Sequence, residues 1–388
     1  IFLRWESLYK IVRDCAPRQM IAGMQKWASI ARQATRRASA SSIGSTRSYN
    51  RLTEPSLAYA ILPNYERGTD FVSKYNNVSI LGAPFSDGQP FSGPDEGPHL
   101  LRDAGLYDVL KGLRWRLKEH GDLQLPGSST TDPEMSSEDA DAVGGMCYQS
   151  YAVGNACEQV YNAVSEIAAE DTFPLILGGD HSLGMGIVPG ILSARPNTAV
   201  IWVDAHADVN TPATSGSGNM HGMPLAFATE NGISYDRIPG CEWMANAPKL
   251  DPKNLVYIGL RDVDVGERRW LREHACGVFT MSEIDALGIG KVMQLALEHV
   301  LADGPRPIHL SFDIDSVDPA IAPSTGTRVR GGLTYREAHY CVEAISDTGQ
   351  LQSMDLVEVN PNLNPSGAAD TVSMAVGILA SAFGARII

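Results

Sequence analysis

Residues 198–210 read Thr-Ala-Val-Ile-Trp-Val-Asp-Ala-His-Ala-Asp-Val-Asn. An apolar run this short, rich in β-branched residues and ending abruptly in polar ones, is the signature of a strand buried on both faces of a parallel sheet. Its polar end carries Asp204, His206 and Asp208 at alternate positions. On extended backbone such residues point the same way, so the three are expected to share one face. Ligand-type side chains on one face of an otherwise apolar strand are hard to explain by packing.

Working outward, similar short runs fall at 78–83, 121–125, 173–178, 254–260, 277–281, 307–313 and 353–359, which with 198–204 predicts eight strands. Stretches of helical character separate them, at 98–111, 147–170, 182–194, 266–274, 290–302 and 335–344. Alternation of this kind predicts an α/β fold, a three-layer αβα sandwich around a mainly parallel eight-stranded sheet. The polar stretch 127–145 reads as a solvated surface loop.

The 388 residues carry a net charge of −14 and are 44% hydrophobic, enough for a full core and unsuited to a general nucleic-acid surface. No run of about 18 apolar residues predicts a membrane span. Six cysteines without CxxC pairs read as reduced structural thiols. Residues 1–51 differ from the rest, with ten Lys or Arg against Glu6 and Asp14, a net +8. Basic, acid-poor and ending in a Ser-rich run, this extension is similar to a mitochondrial transit peptide, which predicts a matrix location; a basic arm on a cytoplasmic protein is the alternative. Residues 52–74 read as a connecting segment and 75–388 as one catalytic domain.

Ligands in an open parallel sheet collect beyond the carboxyl ends of its strands. Three further runs end in polar clusters: Gly178-Gly179-Asp180-His181-Ser182, Asp313-Ile314-Asp315 and Glu358-Val359-Asn360. Taken singly, the first could be a turn whose Asp caps the next helix, and the second the start of an acidic loop. Taken together, His181, Asp204, His206, Asp208, Asp313 and Asp315 give four carboxylates and two imidazoles, which need about two divalent cations for neutrality. An oxygen-rich set without thiolate suits Mn²⁺ better than structural zinc. Two such ions would bridge a water and lower its pKa, supplying a hydroxide nucleophile near neutral pH. The glycine-rich stretch 82–97 lacks the Lys-Ser or Lys-Thr of a phosphate loop.

These motifs, together with 82–90 (GAPFSDGQP), Ser217-Gly218-Asn219-Met220-His221-Gly222, Arg261-Asp262-Val263-Asp264 and Thr325-Gly326-Thr327, resemble those of the ureohydrolase superfamily, and of arginases in particular, over about residues 77–388. The resemblance implies hydrolysis of L-arginine to L-ornithine and urea at two Mn²⁺ ions, one held by His181, Asp204, Asp208 and Asp313, the other by Asp204, His206, Asp313 and Asp315. It further implies that Asp208 orients the hydroxide, that His221 relays a proton to the leaving amine, and that Glu358 pairs with the guanidinium. Read alone, His221 is equally an ordinary loop histidine. Asn210, Ser217 and Asn219 would meet the α-carboxylate, Asp264 and Glu267 the α-ammonium, and Thr327 is carried over as a further substrate contact. The resemblance also implies a homo-oligomer, trimer or hexamer. Arg328, Arg330 and the pair Ser316-Val317 depart from the common arginase pattern outside the metal positions. The rival activities are agmatinase or another guanidino-compound ureohydrolase, and a zinc deacetylase of similar fold; the non-enzymatic rival is an arginine-binding sensor or scaffold, whose signature would be a lost ligand.

Overall fold

The computed structural model describes residues 66–386; the basic segment 1–51 and its targeting role lie outside the described residues. In chain order the strands are β1 (Glu66–Arg67), β2 (Asn77–Ala83), β3 (Arg116–Asp122), β4 (Phe173–Gly178), β5 (Ala199–Val203), β6 (Leu255–Leu260), β7 (Gly277–Thr280), β8 (Ile308–Asp313), β9 (Leu351–Val357) and β10 (Ala385–Arg386). β2 to β9 form one sheet in the order β3-β2-β4-β9-β8-β5-β6-β7, with every pairing parallel. β1 and β10 pair antiparallel, so Glu66 and Arg67 of the expected connecting segment join the chain's far end.

Side-chain alternation explains the layers. Along β5, Ala199, Ile201 and Val203 enter the core packed with helices Ile289–Val300 and Tyr335–Asp347, whereas Val200 and Trp202 enter the opposite core with helix Gly184–Ala194. Both faces are covered, the condition under which a parallel sheet can be apolar on both sides.

The central strands follow their apolar runs, and departures have local causes. The strand expected at 121–125 is centred earlier, because edge strand β3 has the sequence RLKEHGD and is largely exposed, giving no apolar signal. The helix expected at 98–111 is two, Gly97–Asp103 and Leu106–Gly112, parted at Gly105, whose φ of 94° is left-handed. The loop at 127–145 contains helix Ser137–Val143, capped by Ser136. Helix Met281–Leu287 replaces the predicted end of a strand, its start marked by a Thr280/Glu283 capping box legible in sequence. Helix Ala368–Ala382 was not predicted; it is buried nearly all round and offers no amphipathic period. Five cysteines, 147, 157, 241, 276 and 341, are free thiols, as expected of the described residues.

His339 gives a first prediction. Its imidazole is buried between helices, with Nδ1 2.8 Å from Ser381 Oγ and Nε2 without a partner, and burial lowers its pKa to about 4. A histidine depressed on folding contributes stability present above its unfolded pKa near 6.5 and lost as pH falls toward 4. The loss attributable to this group is on the order of 3 kcal/mol at 1.36 kcal/mol per unit. His339→Gln should therefore flatten the decline in melting temperature between pH 6.5 and 4, measured against wild type by scanning calorimetry.

Candidate metal centre and active site

Four adjacent strands, β4-β9-β8-β5, deliver the cluster from their carboxyl ends. His181 follows β4, Glu358 follows β9, Asp313 ends β8 with Asp315 just beyond, and Asp204, His206 and Asp208 follow β5. His181 Nδ1 lies 3.1 Å from one carboxylate oxygen of each of Asp204, Asp208 and Asp313. His206 Nδ1 lies 3.1 Å from Asp315 Oδ2 and 3.4 Å from Asp204 Oδ1. Asp204 thus turns one oxygen to each imidazole, as a bridging ligand would. All six predicted metal ligands converge.

The local reason differs from the sequence argument. β5 stops at Val203 and Asp208 has a left-handed φ of 50°, so its side chain is aimed by a loop and not by strand alternation. Asp315 likewise sits in a 3-10 turn, Ile314–Ser316, where Asp313 Oδ1 accepts its N–H at 2.7 Å. Glu358 is left-handed too, with φ 65°. Non-glycine residues held there mark sites where surrounding structure imposes the geometry. Asp180 fulfils the capping reading, with Oδ1 accepting from Ser182 N at 2.9 Å and Oδ2 from Gly88 N at 2.8 Å. Gly179 has to be glycine, because a Cβ there would fall 1.9 Å from the Phe85 carbonyl oxygen where the β2 and β4 loops meet.

The electrostatics are those of a cation site. Burial and the neighbouring Asp204 charge push Asp208 up to about 6, and burial with the charges of Asp315 and Asp204 raises Asp313 well above the ordinary carboxylate range. Asp204 moves down despite its burial, held by His181 and His206, and both imidazoles move up beside the carboxylates, again against burial. His181 Nδ1, wholly buried, has no proper hydrogen bond although three carboxylate oxygens surround it. An imidazole nitrogen and three carboxyl groups facing one point are a donor set that fits a metal ion. The two groups that could hold ions are His181/Asp204/Asp208 and Asp204/His206/Asp315.

A supporting network went unseen in the sequence. His181 Nε2 lies 2.9 Å from Ser311 Oγ, which donates to Asp355 Oδ1 at 2.9 Å; Asp355 Oδ2 lies 2.9 Å from His309 Nε2, and His309 Nδ1 2.9 Å from Ser353 Oγ. Because Ser311 spends its proton on Asp355, His181 has to donate from Nε2, which leaves Nδ1 bare for a metal. His309 and Ser353, and Ser311 and Asp355, are register partners on β8 and β9. Polar residues at alternate positions of fully buried strands were the available signal. Trp202 was also missed: its ring stacks on His181 with centroids 4.0 Å apart, and its Nε1 donates to Asp204 Oδ2 at 3.0 Å. Thr327 Oγ1 donates to Asp315 Oδ2 at 2.8 Å, so it supports a candidate ligand.

A cavity of about 230 Å³ opens over the cluster, lined by His181, His206, Asp208 and Asp313 on its floor and by Asn210, Ser217, Asn219, His221, Asp264, Glu267 and Thr327 among its walls. Every residue expected to read the amino-acid end is there. Asn210 Nδ2 donates to Asp264 Oδ2 at 2.9 Å. Both oxygens of Glu267 are taken, by Val209 N at 3.1 Å and Asp264 N at 2.9 Å, and burial raises its pKa to about 7. His221 stands in the turn Met220–Gly222 with Nδ1 3.7 Å from Glu358 Oε1; burial lowers its pKa, but Glu358 outweighs this and raises it.

A parallel αβα sandwich with this carboxylate and imidazole cluster at its carboxyl edge defines a metal-dependent hydrolase. A family model described as the arginase family matches residues 76–384. Arginase-1 of Oryctolagus cuniculus is 45% identical over 316 residues, 80% of this chain and 94% of the rabbit protein. Arginase-1 of Homo sapiens is 44% identical over 316 residues, with the same shares covered. The solved arginase of Bacillus caldovelox superposes with a TM-score of 0.72 at 36% identity, over 81% of this chain and all of that one. The chain belongs to the arginase family and is a hydrolase of C–N bonds in linear amidines.

Proposed function

We propose that this enzyme is a binuclear manganese arginase that hydrolyses L-arginine to L-ornithine and urea. The observation that carries the reading is the convergence of four carboxylates and two imidazoles under a cavity whose wall holds Glu358's neighbour His221 and the polar set Asn210, Ser217, Asn219 and Asp264. His181, Asp204, Asp208 and Asp313 would hold one Mn²⁺, and Asp204, His206, Asp313 and Asp315 the other. The bound pair supplies Lewis acidity that activates water for attack on the guanidinium carbon.

The chain's own groups do the rest. Glu358, an ionised and buried carboxylate, offers the counter-charge that orients a guanidinium. His221, its pKa raised by that carboxylate, carries a proton to the departing amine. Asp208 accepts a hydrogen bond from the attacking water and orients it. The hydroxyl and amides of Ser217, Asn210 and Asn219 suit an α-carboxylate, and Asp264 an α-ammonium. Relatives named arginase at 42–45% identity and a solved Entamoeba histolytica arginase in complex with L-ornithine, TM-score 0.69 at 28% identity, support the substrate.

The test is urea release from L-arginine and agmatine by Mn²⁺-loaded enzyme, wild type and Asn219→Ala. Losing one charge-assisted hydrogen bond to the α-carboxylate should cut kcat/KM on L-arginine about 10- to 100-fold and leave agmatine, which keeps the amine and lacks the carboxylate, little changed. Turnover of agmatine alone would contradict the substrate assignment. We also propose that residues 1–51 direct the chain to the mitochondrial matrix; a fluorescent fusion of that segment remaining cytosolic would contradict it.

A further inference from the structure

Gln89 belongs to the loop after β2, in a stretch that carries the family resemblance but has no role in the site as described. Its side chain is 4% exposed. Nε2 donates to Glu358 Oε2 at 2.6 Å, while Oε1 is buried with no partner. The amide cannot be turned round: an ionised carboxylate only accepts, so the NH₂ has to face Glu358 and the carbonyl has to face away. The loop leaves little freedom, since Gly88 N donates to Asp180 Oδ2 at 2.8 Å and Gly88 O accepts His221 N at 3.0 Å. Gly326 keeps the pair open on one side, for a Cβ there would come 2.8 Å from Gln89 Oε1 and 3.7 Å from Glu358 Oε2.

Glu358 already spends acceptor capacity on His181 N, 2.9 Å from Oε1, and on Gln89. A carboxylate has about four lone-pair sites, so two remain. A guanidinium has only donors. The chain therefore sets an unpaired amide carbonyl beside a half-used carboxylate, two neighbouring acceptors that match a guanidinium and repel the carbonyl of a ureido group.

We propose that Gln89 is a recognition residue for the guanidinium head, fixing Glu358 through its NH₂ and accepting a substrate N–H at its carbonyl. The proposal rests on the arginine-hydrolysing reading above. An orphaned buried carbonyl is costly unless a ligand satisfies it, and the loss of its partner by mutation should be felt at the head group and not at the amino-acid end.

Gln89→Met keeps the length of the side chain and removes donor and acceptor, and Gln89→Leu removes both from a shorter side chain. Both Mn²⁺-loaded variants and wild type are assayed for kcat and KM on L-arginine, for inhibition by L-ornithine, which lacks the guanidinium, and for metal content. We expect each variant to lose on the order of 30-fold in kcat/KM. L-ornithine inhibition should stay within about twofold and metal content unchanged, because the amino-acid contacts and metal ligands are untouched. A loss smaller than about fivefold in either folded variant, or an equal loss in ornithine affinity or metal, would overturn the assignment. Should Gln89→Met fail to fold, Gln89→Leu alone decides. Failure of the underlying reading shows separately, as wild-type enzyme that releases no urea from L-arginine.

Discussion

Asp204→Ala is expected to lower kcat on L-arginine by at least ~10³-fold and to leave the chain unable to retain a full complement of Mn²⁺. Asp204 is the residue shared by both halves of the cluster, 3.1 Å from His181 through one oxygen and 3.4 Å from His206 through the other. It is completely buried, and Trp202 Nε1 and His206 N fix its two oxygens. Alanine leaves those donors unpaired and removes one of four negative charges that balance two dications, so metal and activity should go together. Steady-state assays paired with elemental analysis of the desalted variant check this; retained metal with full turnover would contradict the assigned role.

Glu358→Gln should separate binding of metal from use of substrate. The substitution preserves shape and can still accept a hydrogen bond from His181 N, but it removes the charge that faces the guanidinium and raises the pKa of His221. A fall of about 10²-fold in kcat/KM is expected, corresponding to ~2.7 kcal/mol of lost charge-assisted bonding. Mn²⁺ content should match wild type. Loss of metal in this variant would make Glu358 a part of the metal centre, contrary to the account.

Sequence patterning reached the sheet and the ligands by different routes. β4, β5, β6, β8 and β9 were legible because each is buried on both faces and reads as an apolar run; β3, with its polar edge, was displaced, and helix Ala368–Ala382, apolar on every side, was invisible to a search for amphipathic period. The six candidate ligands were found because carboxylates and imidazoles at strand ends are chemically conspicuous. Their aim was not legible: Asp208 and Glu358 depend on left-handed backbone, and Asp315 on a 3-10 turn. The groups that hold the ligands escaped for a further reason. Trp202, the Ser311–Asp355–His309 chain and Gln89 act through contacts made by folding, the last across 269 positions of sequence.

The most direct test is a calorimetric titration of metal-free protein with Mn²⁺, followed by assay of urea release from L-arginine at each point. The account predicts saturation at about two ions per chain, matching the charge of the four carboxylates, with turnover rising as the sites fill. Saturation at one ion, or hydrolysis at full rate by the metal-free chain, would contradict it.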